Sequence, residues 1–141
     1  MTDQTAKEIC RGVMRMLADM GYRSLAEFTL KNNRRVDVIG LDKRGKVIIV
    51  EIKSSAADFR SDNKWPEYLE FCEQFYFAVA EDFPKEILPQ DQGLIIADGY
   101  GAEIIVEAEA HKMNAARKKS LTLNFARTAA QRLFEFTDPK I

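Results

Sequence analysis

Apolar positions recur at two periods along the chain, and the switch between them marks out its elements. Over 4–20, Ile9, Val13, Met16, Leu17 and Met20 fall three or four apart, which is the spacing of one helical face, and Gly21 ends the run. The period then drops to two. Residues 25–30 alternate and stop at Asn32-Asn33, a turn signal. Residues 35–41 follow, then a turn at 42–45 closed by Gly45, then 46–53. The polar stretch 54–63 reads as a loop. Pro66 suits the first turn of a helix whose buried face would be Tyr68, Leu69, Cys72 and Phe75. Residues 75–79 read as a buried strand, and 93–97 and 104–106 as two more, around Asp98, Gly99, Tyr100 and Gly101. Residues 112–134 are helical in composition, with Leu123, Ala126, Ala130, Leu133 and Phe134 as the inner face. The order is α-β-β-β-α-β, then β, β and α. It predicts an α/β fold in one domain over 1–141, with a mixed central sheet flanked by helices.

Charge interrupts this pattern in one place. Val47, Ile48, Ile49 and Val50 are apolar on both faces and mark a central strand, yet Glu51 and Lys53 follow directly. Burying a charge is costly unless it is paired or bound to a metal. Alternation puts Val47, Ile49, Glu51 and Lys53 on one face, and Asp37, Ile39 and Leu41 on one face of the preceding strand. Pairing Leu41 with Val47 and Ile39 with Ile49 sets Asp37 opposite Glu51. A similar count across Asn32-Asn33 sets Glu27 opposite Asp37. Three carboxylates and one ammonium then line one end of a sheet face. Two carboxylates about 4 Å apart repel by about 4 kcal/mol at an effective dielectric near 20. One must take a proton, or a cation must sit between them. Lys53 supplies part of that charge. Mg²⁺ (or Mn²⁺) supplies more, taking carboxylate oxygens and keeping several waters. Such an ion polarises a phosphoryl oxygen and activates a water, with Lys53 orienting that water or stabilising charge on the phosphate. Glu-x-Lys alone is more often a solvated sheet face. The central-strand context and the matching Asp37 shift the balance to function.

These residues resemble the PD-(D/E)xK nuclease superfamily, whose second strand opens with an Asp and whose third ends in Glu/Asp-x-Lys. Asp37 and Glu51-Ile52-Lys53 match as they stand, although Val36 occupies the position of the literal Pro. A longer string is similar to the MmcB-like DNA repair family: Arg34-Arg35-Val36-Asp37, Glu51 to Ser55, Asp58 to Asp62, Lys64 to Tyr68 and Phe75 to Val79. The resemblance implies a restriction-endonuclease-like core and a role in bacterial repair of damaged or cross-linked DNA. It also implies Asp37 and Glu51 as metal ligands, the Ile52 carbonyl as a third, and Lys53 as the catalytic cation. Glu27 is the candidate for an extra acidic residue, and Glu8 on the first helix is its competitor. The expected activity is metal-dependent hydrolysis of a DNA phosphodiester. The alternative is a catalytically idle module that binds DNA or recruits a repair partner.

Net charge is −1, so no global basic field draws in nucleic acid, and DNA contact would need local groups. Lys64 is a candidate for a phosphate, and Trp65 or Tyr68 for base stacking, although Trp65 fits better as a staple to the core. Arg34 and Arg35 precede Asp37 and suit either a phosphate or an exposed hairpin. Arg117, Lys118 and Lys119, with Lys112, form the strongest basic run, read equally as a backbone-binding patch or a solvated face. The lone His111 reads as surface. Cys10 and Cys72 fit a reduced cytoplasmic chain better than a disulfide scaffold, a single bridge being the other option. The N-terminus has no apolar signal region, and no run reaches membrane-spanning length. The partners expected are DNA, damaged or branched, a repair protein, and a second copy in a homodimer.

Overall fold

The structure is a computed structural model and describes residues 3–140. Helix α1 (Gln4–Asp19) starts at Asp3, whose side chain accepts from the Thr5 N–H. The strands are β1 (Arg23–Thr29), β2 (Arg35–Leu41), β3 (Val47–Ile52), β4 (Gln74–Val79), β5 (Gly93–Ala97) and β6 (Ala102–Val106). They form one six-stranded sheet in sequence order. The first three run antiparallel, β3, β4 and β5 run parallel, and β6 returns antiparallel. This is the mixed α/β sheet that the order of elements predicts.

The sheet buries both faces. On one, α1 lays Ile9, Cys10, Val13 and Leu17 against Val38, Ile48, Val50, Tyr76 and Ile95. On the other, Ile39, Val47, Ile49, Phe75, Phe77 and Val79 pack with Tyr68, Phe71, Cys72 and Leu121. Every residue of β3 and β4 is buried, as expected of central strands. Cys10 and Cys72 are both free and buried in different layers, so the single-bridge option falls away. Burial pushes the two thiols up, to about 11 and about 12 respectively, which leaves them unreactive.

Gly12 sits in the middle of α1, where glycine lowers helix stability. Its place is explained by packing: a Cβ there would collide with the carbonyl oxygens of Asp98 and Gly101, in the turn between β5 and β6.

Three elements differ from expectation. The polar stretch after β3 contains a short helix, α2 (Ala56–Ser61), capped by the Ser55 hydroxyl. The segment opened by Pro66 is a 3-10 helix, Trp65–Phe71. It packs Trp65, Tyr68 and Phe71 inward at a period of three, and the expected Tyr68, Leu69, Cys72 and Phe75 all meet the same layer, Cys72 and Phe75 from beyond the helix end. The last helix, α3 (Ala115–Thr137), begins at Asn114 and buries Leu121, with Phe125 packed against the same layer. Leu123, Leu133 and Phe134, expected inside, are 63%, 64% and 58% exposed. What fixes the rotation of α3 is polar. The Asn124 amide donates to the Thr29 carbonyl, and the Arg132 guanidinium donates to the Ala26 and Glu27 carbonyls, along the outer edge of β1.

Candidate active site

The register of β2 and β3 is the one alternation implies, with Leu41 against Val47 and Ile39 against Ile49. The ladder ends at the pair Val38–Val50. Beyond it, side chains take over the backbone bonds. The Asp37 N–H donates to Glu51 Oε1 at 2.8 Å, and the Ile52 N–H donates to Asp37 Oδ2 at 2.7 Å. Each carboxylate thus satisfies the backbone of the other's strand. On β2, Val36 packs in the layer of Phe75 while Val38 packs beneath α1, so the simple alternation breaks at Asp37. On β1, Glu27 lies between the pairs Ala26–Val38 and Phe28–Val36, with φ of 51° in the left-handed region.

The result is an open cleft of about 460 Å³ at the C-terminal end of β3. Asp37, Glu51, Ile52 and Lys53 line it, together with Asp62, Lys64 and Tyr68. Asp3 and Ala6 of α1 close its other side. Glu51 and Lys53 are buried, at 4% and 5% exposure. Such burial would be prohibitive for isolated charges. Lys53 is neutralised by Asp62, with Nζ to Oδ2 at 2.6 Å. Glu51 and Asp37 have no such cation each, and their protonation shows it. Burial, and then the charge of Asp37, push the Glu51 carboxyl well above the usual carboxylate range. Burial raises Asp37 as well, against the Ile52 N–H, the Lys53 charge and a hydrogen bond from Glu51. Each group therefore holds its proton more tightly than a free carboxyl does. Burial also pushes the Tyr68 hydroxyl up to about 12, helped by the charges of Glu51, Asp62 and Asp37.

The donor set suits a hard divalent ion. Two carboxylates line the same cleft, and a cation there would offset their mutual repulsion. Among the described residues no group of three or more His, Cys, Asp or Glu is placed to hold a metal. Such an ion would therefore keep several waters.

Other expected site residues fall in varied places. Lys64 is exposed at the cleft, and Arg35 is exposed at the start of β2, two residues before Asp37. Glu27 is half-buried beside Asp37 in register, outside the cleft lining, with its carbonyl held by Arg132. Glu8 is exposed and lines a different cleft with Asp98 and Glu103. Trp65 stacks on Phe75 at 5.7 Å and meets Phe77 edge-on, so it staples the chain to the core. Tyr68 is buried in the cleft wall. Lys118 pairs with Glu73 at 2.8 Å, and Glu73 also accepts from the Val47 N–H. That places the basic run at the opening end of β3, the far end from Lys53, with Lys119 exposed beside it. Asp62 and Asp58 carried no expected role. Their spacing, four residues apart just after the active strand, was the available signal.

The family model of DNA repair protein MmcB-like matches residues 1–140. The chain belongs to the MmcB-like DNA repair family. Among solved structures, a protein of unknown function from Silicibacter pomeroyi, SPO1766, is similar over 99% of this chain and 95% of that one. The two share 44% identity, with a TM-score of 0.93. No curated protein matches. The MmcB-like chain therefore has a relative of the same fold, whose own function is unassigned. Among the described residues no helix is long and apolar enough to cross a membrane.

Proposed function

We propose that this MmcB-like protein is a Mg²⁺-dependent deoxyribonuclease of the PD-(D/E)xK kind, hydrolysing phosphodiester bonds in damaged or branched DNA during repair. One observation carries the reading: Asp37, Glu51 and Lys53 line one cleft, Glu51 and Lys53 buried and Asp37 half-buried, with the two carboxylates cross-bonded to the backbone of β2 and β3. A structural ion pair would have matched each carboxylate to a cation, and this arrangement leaves an anionic pair beside a single ammonium. Asp37 and Glu51 would hold Mg²⁺ or Mn²⁺, with the Ile52 carbonyl as a further donor. When bound, the ion supplies Lewis acidity toward a phosphoryl oxygen and lowers the pKa of its water. Lys53 stands beside the pair to stabilise negative charge on the phosphate or to orient the attacking water. Lys64 at the cleft and Arg35 on β2 would hold phosphates on either side of the scissile bond. Lys118 and Lys119, at the other end of β3, would meet only a distant stretch of backbone.

The test is cleavage of flapped, branched, single-stranded and duplex DNA with Mg²⁺ or Mn²⁺. Glu51→Ala and Lys53→Ala are each expected to abolish cleavage while leaving the circular dichroism of the sheet unchanged. An intact protein that binds neither ion by calorimetry would end the nuclease reading.

A second reading, a DNA-binding or recruitment module without cleavage, is favoured by a different observation. The two carboxylates already satisfy each other's backbone N–H groups, so β2 and β3 hold together with no ion present. DNA affinity that survives Asp37→Ala, in a protein that cuts nothing, would select it.

A further inference from the structure

We propose that Asp62 is the positioning residue for Lys53: its carboxylate fixes the ammonium at the floor of the cleft, and the segment Asp58–Asp62 exists to hold it there. The inference rests on the nuclease reading and extends it to a residue outside the signature.

A lysine has a long flexible stem, and confining it costs side-chain entropy. A cation that must meet a phosphate at one place needs a fixed partner. Asp62 provides one because it is itself immobile. Its Oδ2 accepts from Lys53 Nζ at 2.6 Å, while its Oδ1 accepts from the N–H groups of Lys64 and Trp65 at 2.8 and 3.3 Å. Both oxygens are therefore committed, one to the lysine and one to the backbone. The chain on either side is anchored in the core: Phe59 meets Phe77 edge-on at 5.6 Å, and Trp65 stacks on Phe75. Four residues earlier, Asp58 accepts from the Ser54 N–H and hydroxyl, tying α2 to the residue that follows Lys53. The clip thus grips the end of β3 twice, once through Ser54 and once through Lys53.

Asp62→Asn separates positioning from scaffolding. An asparagine keeps a carbonyl oxygen for the Lys64 and Trp65 N–H groups and removes the charge that holds Lys53. In wild type, lysine-labelled protein should show the Lys53 ammonium as a slowly exchanging proton–nitrogen correlation, assigned by its loss in Lys53→Arg. Asp62→Asn should abolish that signal and lower the melting midpoint at neutral pH while the protein still folds, and Asp58→Asn should keep the signal. In DNA cleavage, Asp62→Asn should lower kcat by on the order of 10²-fold, the scale of a misplaced catalytic group, with KM for DNA within about twofold. A Lys53 signal that persists in Asp62→Asn overturns the proposal, and so does an unchanged kcat. If wild type cuts no DNA but the spectra behave as expected, the nuclease reading falls while the hold of Asp62 on Lys53 stands.

Discussion

Asp37 and Glu51 sit where water is scarce, and that gives the protein a pH signature. A carboxyl whose folded pKa lies above its unfolded value binds a proton more tightly in the native state. Its contribution to stability is full below the ordinary carboxylate range, near pH 4, and is lost as pH rises through the raised value. Glu51→Gln keeps an oxygen for the Asp37 N–H and removes the like-charge repulsion. In chelator at pH 8 it should therefore melt several degrees higher than wild type, since about 1 kcal/mol moves the midpoint of a domain near this size by roughly 2–4 °C. At pH 4 the two proteins should melt together. Mg²⁺ should raise the wild-type midpoint by mass action and leave Glu51→Gln unmoved, read by differential scanning calorimetry. Asp62 runs the other way: burial opposes its ionisation, but the Lys53 ammonium and the N–H groups of Lys64 and Trp65 outweigh it, so its carboxyl lies below the usual range. Its share of stability persists through neutral pH and fails only in acid.

Among the elements, α3 has the most instructive energetics. Leu121 is its one buried residue, so Leu121→Ala should cost about 2–5 kcal/mol in urea unfolding. Leu133→Ala, at an exposed site, should stay within about 0.5 kcal/mol. The sequence favours the opposite ranking, because Leu123, Ala126, Ala130 and Leu133 make a cleaner apolar stripe than Leu121 and Phe125. That stripe could not reveal that Arg132 and Asn124 reach the β1 edge, since a polar contact to a carbonyl leaves no periodic trace. The strands were easier to read. In β2 and β3, Gly45 with φ of 84° fixes the turn, and the apolar pairs on both sides fix the register. The helix opened by Pro66 buries the residues its apolar spacing implies, while its 3-10 winding leaves no trace over so short a run.

For the molecule as a whole, the packing of α1 onto the far turn of the sheet should be unforgiving. Gly12→Ala should cost about 3 kcal/mol or more, because the added methyl meets two backbone carbonyls that have no room to retreat. The nearness of Asp37 to Glu51 was legible because the pairs Ile39–Ile49 and Leu41–Val47 set the register of adjacent strands, although the alternation itself breaks at Asp37. Asp62 was not, because it reaches Lys53 from the end of α2, a short helix that the polar stretch 54–63 does not announce. The geometry of charge was equally hidden: nothing in the sequence tells that Lys64 and the run containing Lys118 stand at opposite ends of β3. Lys64→Glu should accordingly weaken DNA affinity about tenfold in low salt, and Lys119→Glu much less, measured by fluorescence anisotropy.

One silent thiol lies in each layer, Cys10 beneath α1 and Cys72 beyond the sheet. Native protein should leave both untouched by alkylating reagents. In graded denaturant, mass spectrometry of the peptide bearing each cysteine would time the loosening of each layer separately, so the chain carries its own pair of stopwatches.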